Sequence, residues 1–141
     1  MNFTLIPFEG TDRIKVGMTS SEIQSMLQSS PEHQSKSEWA LYDKDYFGFV
    51  SVEYNDDQKS ISFEFSSPAK VFFQDIQLIG ENYHDIENLF KTLDENLIIE
   101  EGAGFTSVKY QIGVYAPNTL TGRFIETVLV AQKSYYDFLL N

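Results

Sequence analysis

Two histidines and several paired carboxylates are the side chains of this chain that could perform acid–base chemistry or bind a metal. His33 lies in a polar segment and His84 follows a helix start, and neither has the spacing to another histidine that zinc ligation requires. There is no cysteine, which excludes thiolate nucleophiles and thiolate metal sites. Acidic pairs occur at 56–57, 94–95 and 100–101, without the alternating oxygen ligands and internal glycine of a calcium loop. The sequence therefore predicts no catalytic, metal or cofactor site.

The stretch KVGMTSSEIQSML, residues 15–27, places a glycine and hydroxyl residues before an amphipathic pattern, as anion-binding loops do. A phosphate loop requires several glycines and a lysine followed by Ser or Thr, whereas here the lysine precedes the single glycine. Thr19 and Glu22 have the spacing of a capping box. We therefore interpret this stretch as a capped helix start that binds nothing.

The elements of the first half follow from its apolar spacing. A strand is predicted over residues 2–8, a helix after Thr19, and a loop over the polar residues 31–38. The predicted buried face of the helix consists of Ile23, Met26 and Leu27. Alternating apolar residues then predict a hairpin around the turn 55–58, with one buried face formed by Val50, Val52, Tyr54, Ile61, Phe63 and Phe65.

The second half follows the same order. A strand is predicted over 71–78, followed by a helix capped by Asn82. Strands are predicted over 105–116 and 124–131, joined by PNTLTG. The last segment, SYYDFLLN, is predicted to form either a closing helical turn or an edge strand. The second helix should bury Ile86, Leu89, Phe90 and Leu93. This order of elements predicts a single α+β domain over residues 1–141, with two short helices on one face of a mostly antiparallel sheet. Because the two helix starts match, we also predict an internal repeat of 1–67 and 68–141.

Charge narrows the class of partner. The formal net charge is −11, and the segment from Asp43 to Glu101 alone holds 14 acidic and 4 basic residues. Nucleic acids and anionic membranes attract positive surfaces, so neither is expected as a partner. The start MNFTLIPFEG lacks the basic and apolar regions of a signal peptide, and no apolar run has membrane-spanning length, so a cytoplasmic location is expected.

Aromatic residues alternate with acids in WALYDKDYF, residues 39–47. Tyr and Trp are enriched in binding hot spots, and adjacent carboxylates would attract the Lys and Arg of a basic partner. The alternative is that these aromatics belong to the core. The predicted partner-binding residues are Trp39, Tyr42, Asp43, Asp45, Tyr46, Glu53, Asp56 and Asp57.

The order of these segments resembles the small cytoplasmic immunity proteins of bacterial polymorphic and contact-dependent toxin systems. The segments that carry the resemblance are IPFEG, IKVGMTSSEIQSML, VSVEYNDDQKSISFEF, LIGENYHDIENLF, QIGVYAPN and SYYDFLL. The resemblance implies a cognate toxin domain as partner, and many such toxins are basic nucleases. It implies no particular inhibitory residue, because the group shares no motif for one.

Two other kinds of function stay open. The GMTSSEI helix start also resembles small outer-membrane assembly lipoproteins, although the lipidated cysteine of that group is missing here. A pocket between helices and sheet could instead hold a small ligand or substrate, but no nucleophile, dinucleotide or kinase motif is present. We therefore expect a non-enzymatic toxin inhibitor, with a structural, assembly or ligand-binding module as the alternative.

Overall fold

Two β-sheets and two α-helices form the described part of the chain, residues 1–117 and 124–140 of the computed structural model. The fold is of the α+β class with mostly antiparallel strands, as predicted. The first half contains β1 (Asn2–Ile6), β2 (Gly10–Thr11), α1 (Ser20–Leu27), β3 (Glu32–Gln34), β4 (Asp43–Tyr46), β5 (Val50–Tyr54) and β6 (Ser60–Ser66). The second contains β7 (Lys70–Phe73), β8 (Ile76–Gln77), α2 (Tyr83–Leu93), β9 (Ile98–Glu100), β10 (Gly104–Ser107), β11 (Ile112–Tyr115), β12 (Thr127–Ala131) and a 3-10 helix (Asp137–Leu140).

The larger sheet has the strand order β3-β4-β5-β6-β12-β11-β10-β9, and every neighbouring pair in it is antiparallel. It consists of one four-stranded meander from each half, joined where Phe63 of β6 lies opposite Val130 of β12. The smaller sheet has the order β2-β1-β7-β8, with β1 and β7 parallel. This common order of elements supports the internal repeat of 1–67 and 68–141, which stays a prediction.

The core lies against one face of the larger sheet, which we call the inner face. Phe3 of β1 contacts Phe65 of β6 with ring centroids 4.7 Å apart, and Phe90 of α2 contacts Phe105 of β10 at 4.8 Å. Buried residues of α1, α2 and both sheets belong to the same apolar cluster. Both helices and the smaller sheet therefore cover the inner face, as predicted for the helices.

The predicted helix faces are largely confirmed. Ile23, Leu27, Ile86 and Phe90 are buried, and Leu89 and Leu93 are half-buried. The prediction for Met26 is wrong, because this side chain is 50% exposed. Helix α1 has only 8 residues, and Ile23 and Leu27, four residues apart, form its contact with the core. Met26 lies on the helix surface beside this contact.

Several predicted element boundaries are wrong. The segment 31–38 contains the edge strand β3 rather than only a loop. The predicted strands 71–78 and 105–116 are each a hairpin, because Gln74, Asp75 and Gln111 adopt positive φ and reverse the chain. The C-terminal segment ends in a 3-10 helix, one of the two predicted forms. Most of the predicted linker PNTLTG lies outside the described residues.

The capping box at the start of α1 is present. The Thr19 Oγ1 accepts a hydrogen bond from the Glu22 backbone N–H at 3.3 Å, and the Glu22 carboxylate accepts one from the Thr19 backbone N–H at 2.9 Å. This second hydrogen bond is the main reason that the pKa of Glu22 is lowered. The cap thus accounts for these residues without a ligand.

We expect Thr19→Ala to lower the free energy of unfolding by about 1 kcal/mol, because one helix N–H loses its acceptor. Urea denaturation followed by circular dichroism measures the change. Ser21→Ala is the matched control, since Ser21 is exposed in the same turn, and it should change stability by less than about 0.5 kcal/mol. Equal losses in the two variants would contradict the capping role.

Candidate protein-binding groove

The opposite face of the larger sheet, the outer face, carries a groove of about 590 Å³. One wall comes from the β3–β4 hairpin, the other from the C-terminal segment 132–140, and the floor from β5, β6, β11 and β12. Seven aromatic side chains and three charged ones are among its lining residues. The lining residues are Gln34, Trp39, Ala40, Leu41, Tyr42, Lys44, Tyr46, Glu53, Glu64, Tyr115, Leu129, Tyr135, Tyr136 and Phe138.

A tight turn at the tip of the β3–β4 hairpin projects Trp39 into solvent. The Ser37 N–H donates to the Ala40 carbonyl at 2.8 Å, and the Trp39 N–H donates to the Ser37 Oγ at 3.1 Å. Behind the turn, the Lys36 ammonium lies 2.7 Å from the Asp56 carboxylate of the β5–β6 hairpin. Trp39 is 89% exposed although its turn is held by these hydrogen bonds, and the neighbouring Leu41 is 82% exposed.

The C-terminal segment is tied to the outer face by polar contacts. The Tyr135 hydroxyl donates to Glu53, and the Tyr136 and Tyr115 hydroxyls are hydrogen-bonded at 2.9 Å. The Gln111 side chain accepts from the Tyr136 N–H at 2.7 Å and donates to Asp137 at 3.0 Å. Burial, and then the hydrogen bond to Glu53, raise the pKa of Tyr135, so its hydroxyl stays a donor even at pH values where an exposed tyrosine ionises. These contacts fix one wall of the groove.

The groove accounts for much of the exposed apolar surface. Ten large hydrophobic side chains are exposed in the described residues, and four of them line this groove: Trp39, Leu41, Tyr46 and Phe138. Single exposed hydrophobic residues are ordinary on a protein surface, whereas a contiguous patch with a polar rim is typical of an interaction site. The groove is therefore the candidate functional site.

The structure brings together four of the eight predicted partner-binding residues. Trp39, Tyr42, Tyr46 and Glu53 all line the groove. Asp56 and Asp57 lie exposed at the tip of the β5–β6 hairpin, next to the Trp39 turn through the Lys36–Asp56 ion pair.

Asp43 and Asp45 do not belong to the groove, because strand alternation directs them to the inner face while Lys44 and Tyr46 point outward. The half-buried Asp43 carboxylate accepts hydrogen bonds from the Gln58 side chain and the Lys36 N–H, which lower its pKa. Asp43 therefore joins the two hairpins at the end of the groove.

Asp45 is a buried structural carboxylate, so its predicted role at the surface is corrected. It is 1% exposed and accepts hydrogen bonds from the Ser20 hydroxyl at 2.5 Å and the Tyr54 hydroxyl at 2.7 Å. Its other oxygen lies 2.8 Å from the His33 Nδ1. This contact fixes one side of the His33 ring to the sheet, while 48% of the side chain stays exposed. The cluster joins α1, β3, β4 and β5.

Sequence reasoning missed the contributions of the second half to the groove. Tyr115, Leu129, Tyr136 and Phe138 line it together with Glu64 of β6. The aromatic segment SYYDFLL was the available signal, since a closing segment with two tyrosines and a phenylalanine has apolar surface to cover. What the sequence did not indicate is that this segment crosses back over the outer face next to the Trp39 turn.

A second cavity, of about 470 Å³, lies at the C-terminal end of α2 and has a weaker case for function. Lys109 donates to the Leu93 carbonyl there at 2.8 Å, as expected at a helix C-terminus. Asp94, of the acidic pair 94–95, is 3% exposed and accepts from the Ser107 hydroxyl at 2.8 Å. These polar groups of the cavity lining are thus bonded to other parts of the chain and serve the fold.

Across the described residues, no group of three His, Asp or Glu side chains is arranged to hold a metal ion.

Comparison of the chain with known protein families, curated proteins and solved structures gives no match. Within residues 1–117 and 124–140, neither helix has the length and apolar character needed to cross a membrane.

The first test of this site separates Asp45 from the surface acids. We expect Asp45→Ala to lower the free energy of unfolding by about 2–4 kcal/mol, because it leaves Ser20 and Tyr54 without their acceptor. Asp57→Ala, at an exposed turn, should change it by less than about 0.5 kcal/mol. Chemical denaturation of both variants measures the difference. Similar stabilities would show that the buried network contributes little.

A second test concerns the wall formed by the C-terminal segment. Gly113 lies on the floor beneath Tyr115 and Tyr136, and a Cβ at this position would clash with the hydroxyl oxygens of both, meeting that of Tyr136 at only 2.5 Å. We expect Gly113→Ala to displace Tyr136 and to increase amide hydrogen exchange in residues 132–140 at least tenfold. Exchange in α1, on the other side of the sheet, is the internal control and should stay unchanged. Unaltered exchange in 132–140 would contradict this packing.

Proposed function

We propose that this protein is a cytoplasmic immunity protein that binds and neutralises a cognate, basic bacterial toxin domain without catalysis and without a cofactor. The observation that carries the proposal is the exposed aromatic groove on the outer face, with Glu53 and Glu64 at its floor. The resemblance of the sequence to immunity proteins supplies the class of partner. In this proposal the groove is the contact surface for the toxin.

The aromatic residues supply the binding energy in this proposal. Large, rigid aromatic side chains bury much surface at low entropic cost, and Trp and Tyr are enriched among residues whose truncation costs 2 kcal/mol or more. Among the described residues, Trp39 is the most exposed large hydrophobic side chain, and its turn is held by backbone hydrogen bonds. A partner would therefore bury it without first ordering a flexible loop.

The acidic residues supply attraction over distance. Asp56 and Asp57 lie at the tip of a hairpin beside the groove, and most of the net charge of −11 comes from the segment that contains them. Exposed charges at the rim of an interface act mainly on the association rate, and salt screens them because the Debye length is about 8 Å at physiological ionic strength. A basic toxin would thus be steered toward the groove.

One observation favours a second candidate function. A volume of about 590 Å³ falls in the range of small-molecule sites, and half of the lining residues are aromatic, with a few polar groups beside them. The chain would then be a ligand-binding or assembly module without catalysis. Native mass spectrometry of protein purified from its own host distinguishes the two, since a co-purified small molecule supports the second candidate and a co-purified basic protein supports the first.

For the proposed toxin interaction, we expect Trp39→Ala to weaken binding by about 2 kcal/mol or more through faster dissociation. The double variant Asp56→Asn and Asp57→Asn should instead slow association and flatten its dependence on salt. The partner is first captured from the native host, and surface plasmon resonance between 50 and 500 mM salt, roughly a threefold range of Debye length, then gives both rates.

Matched controls lie on the other side of the core. Met26→Ala removes a half-exposed apolar side chain from α1, and Asp75→Asn removes an acid from the β7–β8 turn, so neither should change the rates. If association with the captured partner does not respond to salt, the steering role of the acids is wrong. If Trp39→Ala and Met26→Ala behave alike, the groove is not the binding surface.

A further inference from the structure

The groove combines aromatic ring faces with a carboxylate that has no partner in the described residues. Glu64 is exposed, and within residues 1–117 and 124–140 its side chain takes part in no hydrogen bond and no ion pair. Its neighbour Glu53 is held in place, because it accepts hydrogen bonds from the Ser62 hydroxyl at 2.7 Å and from Tyr135. One carboxylate of the floor is thus fixed by the fold and the other is available.

The two carboxylates lie close together on the same face. Glu53 is directly opposite Ser62, and Glu64 is two residues further along β6, so the two form a diagonal cross-strand pair. Such pairs have Cα atoms roughly 7–8 Å apart, within reach of a single cationic group. Burial and the Tyr115 hydroxyl raise the pKa of Tyr136, and the negative charge of Glu64 adds to the rise. Glu64 and Tyr136 also both line the groove, so the free carboxylate and the aromatic wall face the same space.

The chain's own lysine shows that the groove accommodates a cation. The Lys44 Nζ lies 5.4 Å from the centroid of the Tyr46 ring, the geometry of a cation–π contact. Lys44 also lies directly opposite Glu53 in the β4–β5 register. Lys44, Glu53 and Glu64 are the charged residues that line the groove, so its lining carries a net charge of −1.

We propose that this groove receives an arginine side chain of the partner, with its guanidinium group hydrogen-bonded to Glu64 and stacked on an aromatic ring. This inference rests on the proposed protein-binding function and specifies the chemistry that the groove recognises. A guanidinium group is planar, so it can stack on a ring and donate two parallel hydrogen bonds to one carboxylate, whereas an ammonium group acts as a compact and strongly hydrated charge. The ring faces and the available carboxylate fit the first group better.

Trp39 is the single tryptophan of the chain and lines the groove, so its fluorescence reports on binding there directly. The probe is a short glycine–arginine repeat peptide, compared at constant ionic strength with the same peptide carrying citrulline or lysine. Citrulline keeps the shape of arginine and removes the charge. We expect the arginine peptide to bind at least tenfold more tightly than the citrulline peptide and about threefold more tightly than the lysine peptide.

Variants locate the effect at the proposed site. Glu64→Gln should weaken binding of the arginine peptide at least fivefold, whereas Glu95→Gln, which removes an exposed acid beside the second cavity, should leave it unchanged. Both variants are compared with the parent protein by circular dichroism and thermal unfolding, and Glu64→Asp serves as a second variant that keeps the charge. Equal binding of the arginine and citrulline peptides, or equal effects of Glu64→Gln and Glu95→Gln, would overturn the inference.

The outcomes for the two proposals are separable. If a captured toxin depends on Trp39 while the peptides show no preference for arginine, the groove binds the toxin through other chemistry and only the arginine inference fails. If the arginine peptide binds as expected while the captured partner is indifferent to Trp39, the arginine site stands and the toxin-binding role of the groove fails. A preference for the lysine peptide over the arginine peptide also overturns the inference.

Discussion

The alternation of side chains along each strand is the constraint on which the rest of this structure depends. Within the larger sheet, one set of alternate residues faces the helices and the smaller sheet, and the other set faces outward. The inner set includes the buried phenylalanine and valine residues of β5, β6 and β12. Because the main core covers only this face, most of the outer face stays open. There the C-terminal segment packs on a smaller buried cluster of Leu129, Ala131 and Tyr136, and together with the hairpin tip it shapes the groove.

The two halves use a similar order of elements for different chemistry. In the second half, Tyr83 at the start of α2 contacts Phe105 of β10 with ring centroids 5.9 Å apart. In the first half, Ser20 at the start of α1 instead donates a hydrogen bond to the buried Asp45 of β4. Each arrangement joins the start of a helix to the second strand of its meander. The buried carboxylate thus does by hydrogen bonding what the aromatic pair does by apolar contact, which is why we assign Asp45 to the fold.

Local signals in the sequence were sufficient for the helices and for the phase of β5 and β6. The caps at Thr19 and Asn82 each involve residues three apart in the sequence. The alternation of apolar residues from Val50 to Phe65 allows only one strand register in which all of them are buried. Strand β4 could not be predicted in this way, because its aromatic residue points outward and its acid inward. The donors that make the burial of Asp45 tolerable, Ser20, His33 and Tyr54, come from three separate segments. Only half of the groove could be predicted from local signals, because its second wall is formed by the C-terminal segment, which is distant in sequence from the β3–β4 hairpin.

The pairing of β6 with β12 also has a consequence for biosynthesis. β6 ends at Ser66 and its partner begins at Thr127, roughly 60 residues later. At translation rates of about 5–20 residues per second, the edge of β6 that β12 will cover waits roughly 3–12 seconds for its partner. Phe63 and Phe65 lie in this strand, so the nascent chain carries an apolar strand with an open edge during that interval. Until the last strand has been made, this open edge can pair with other extended chains, which is the usual route by which edge strands aggregate.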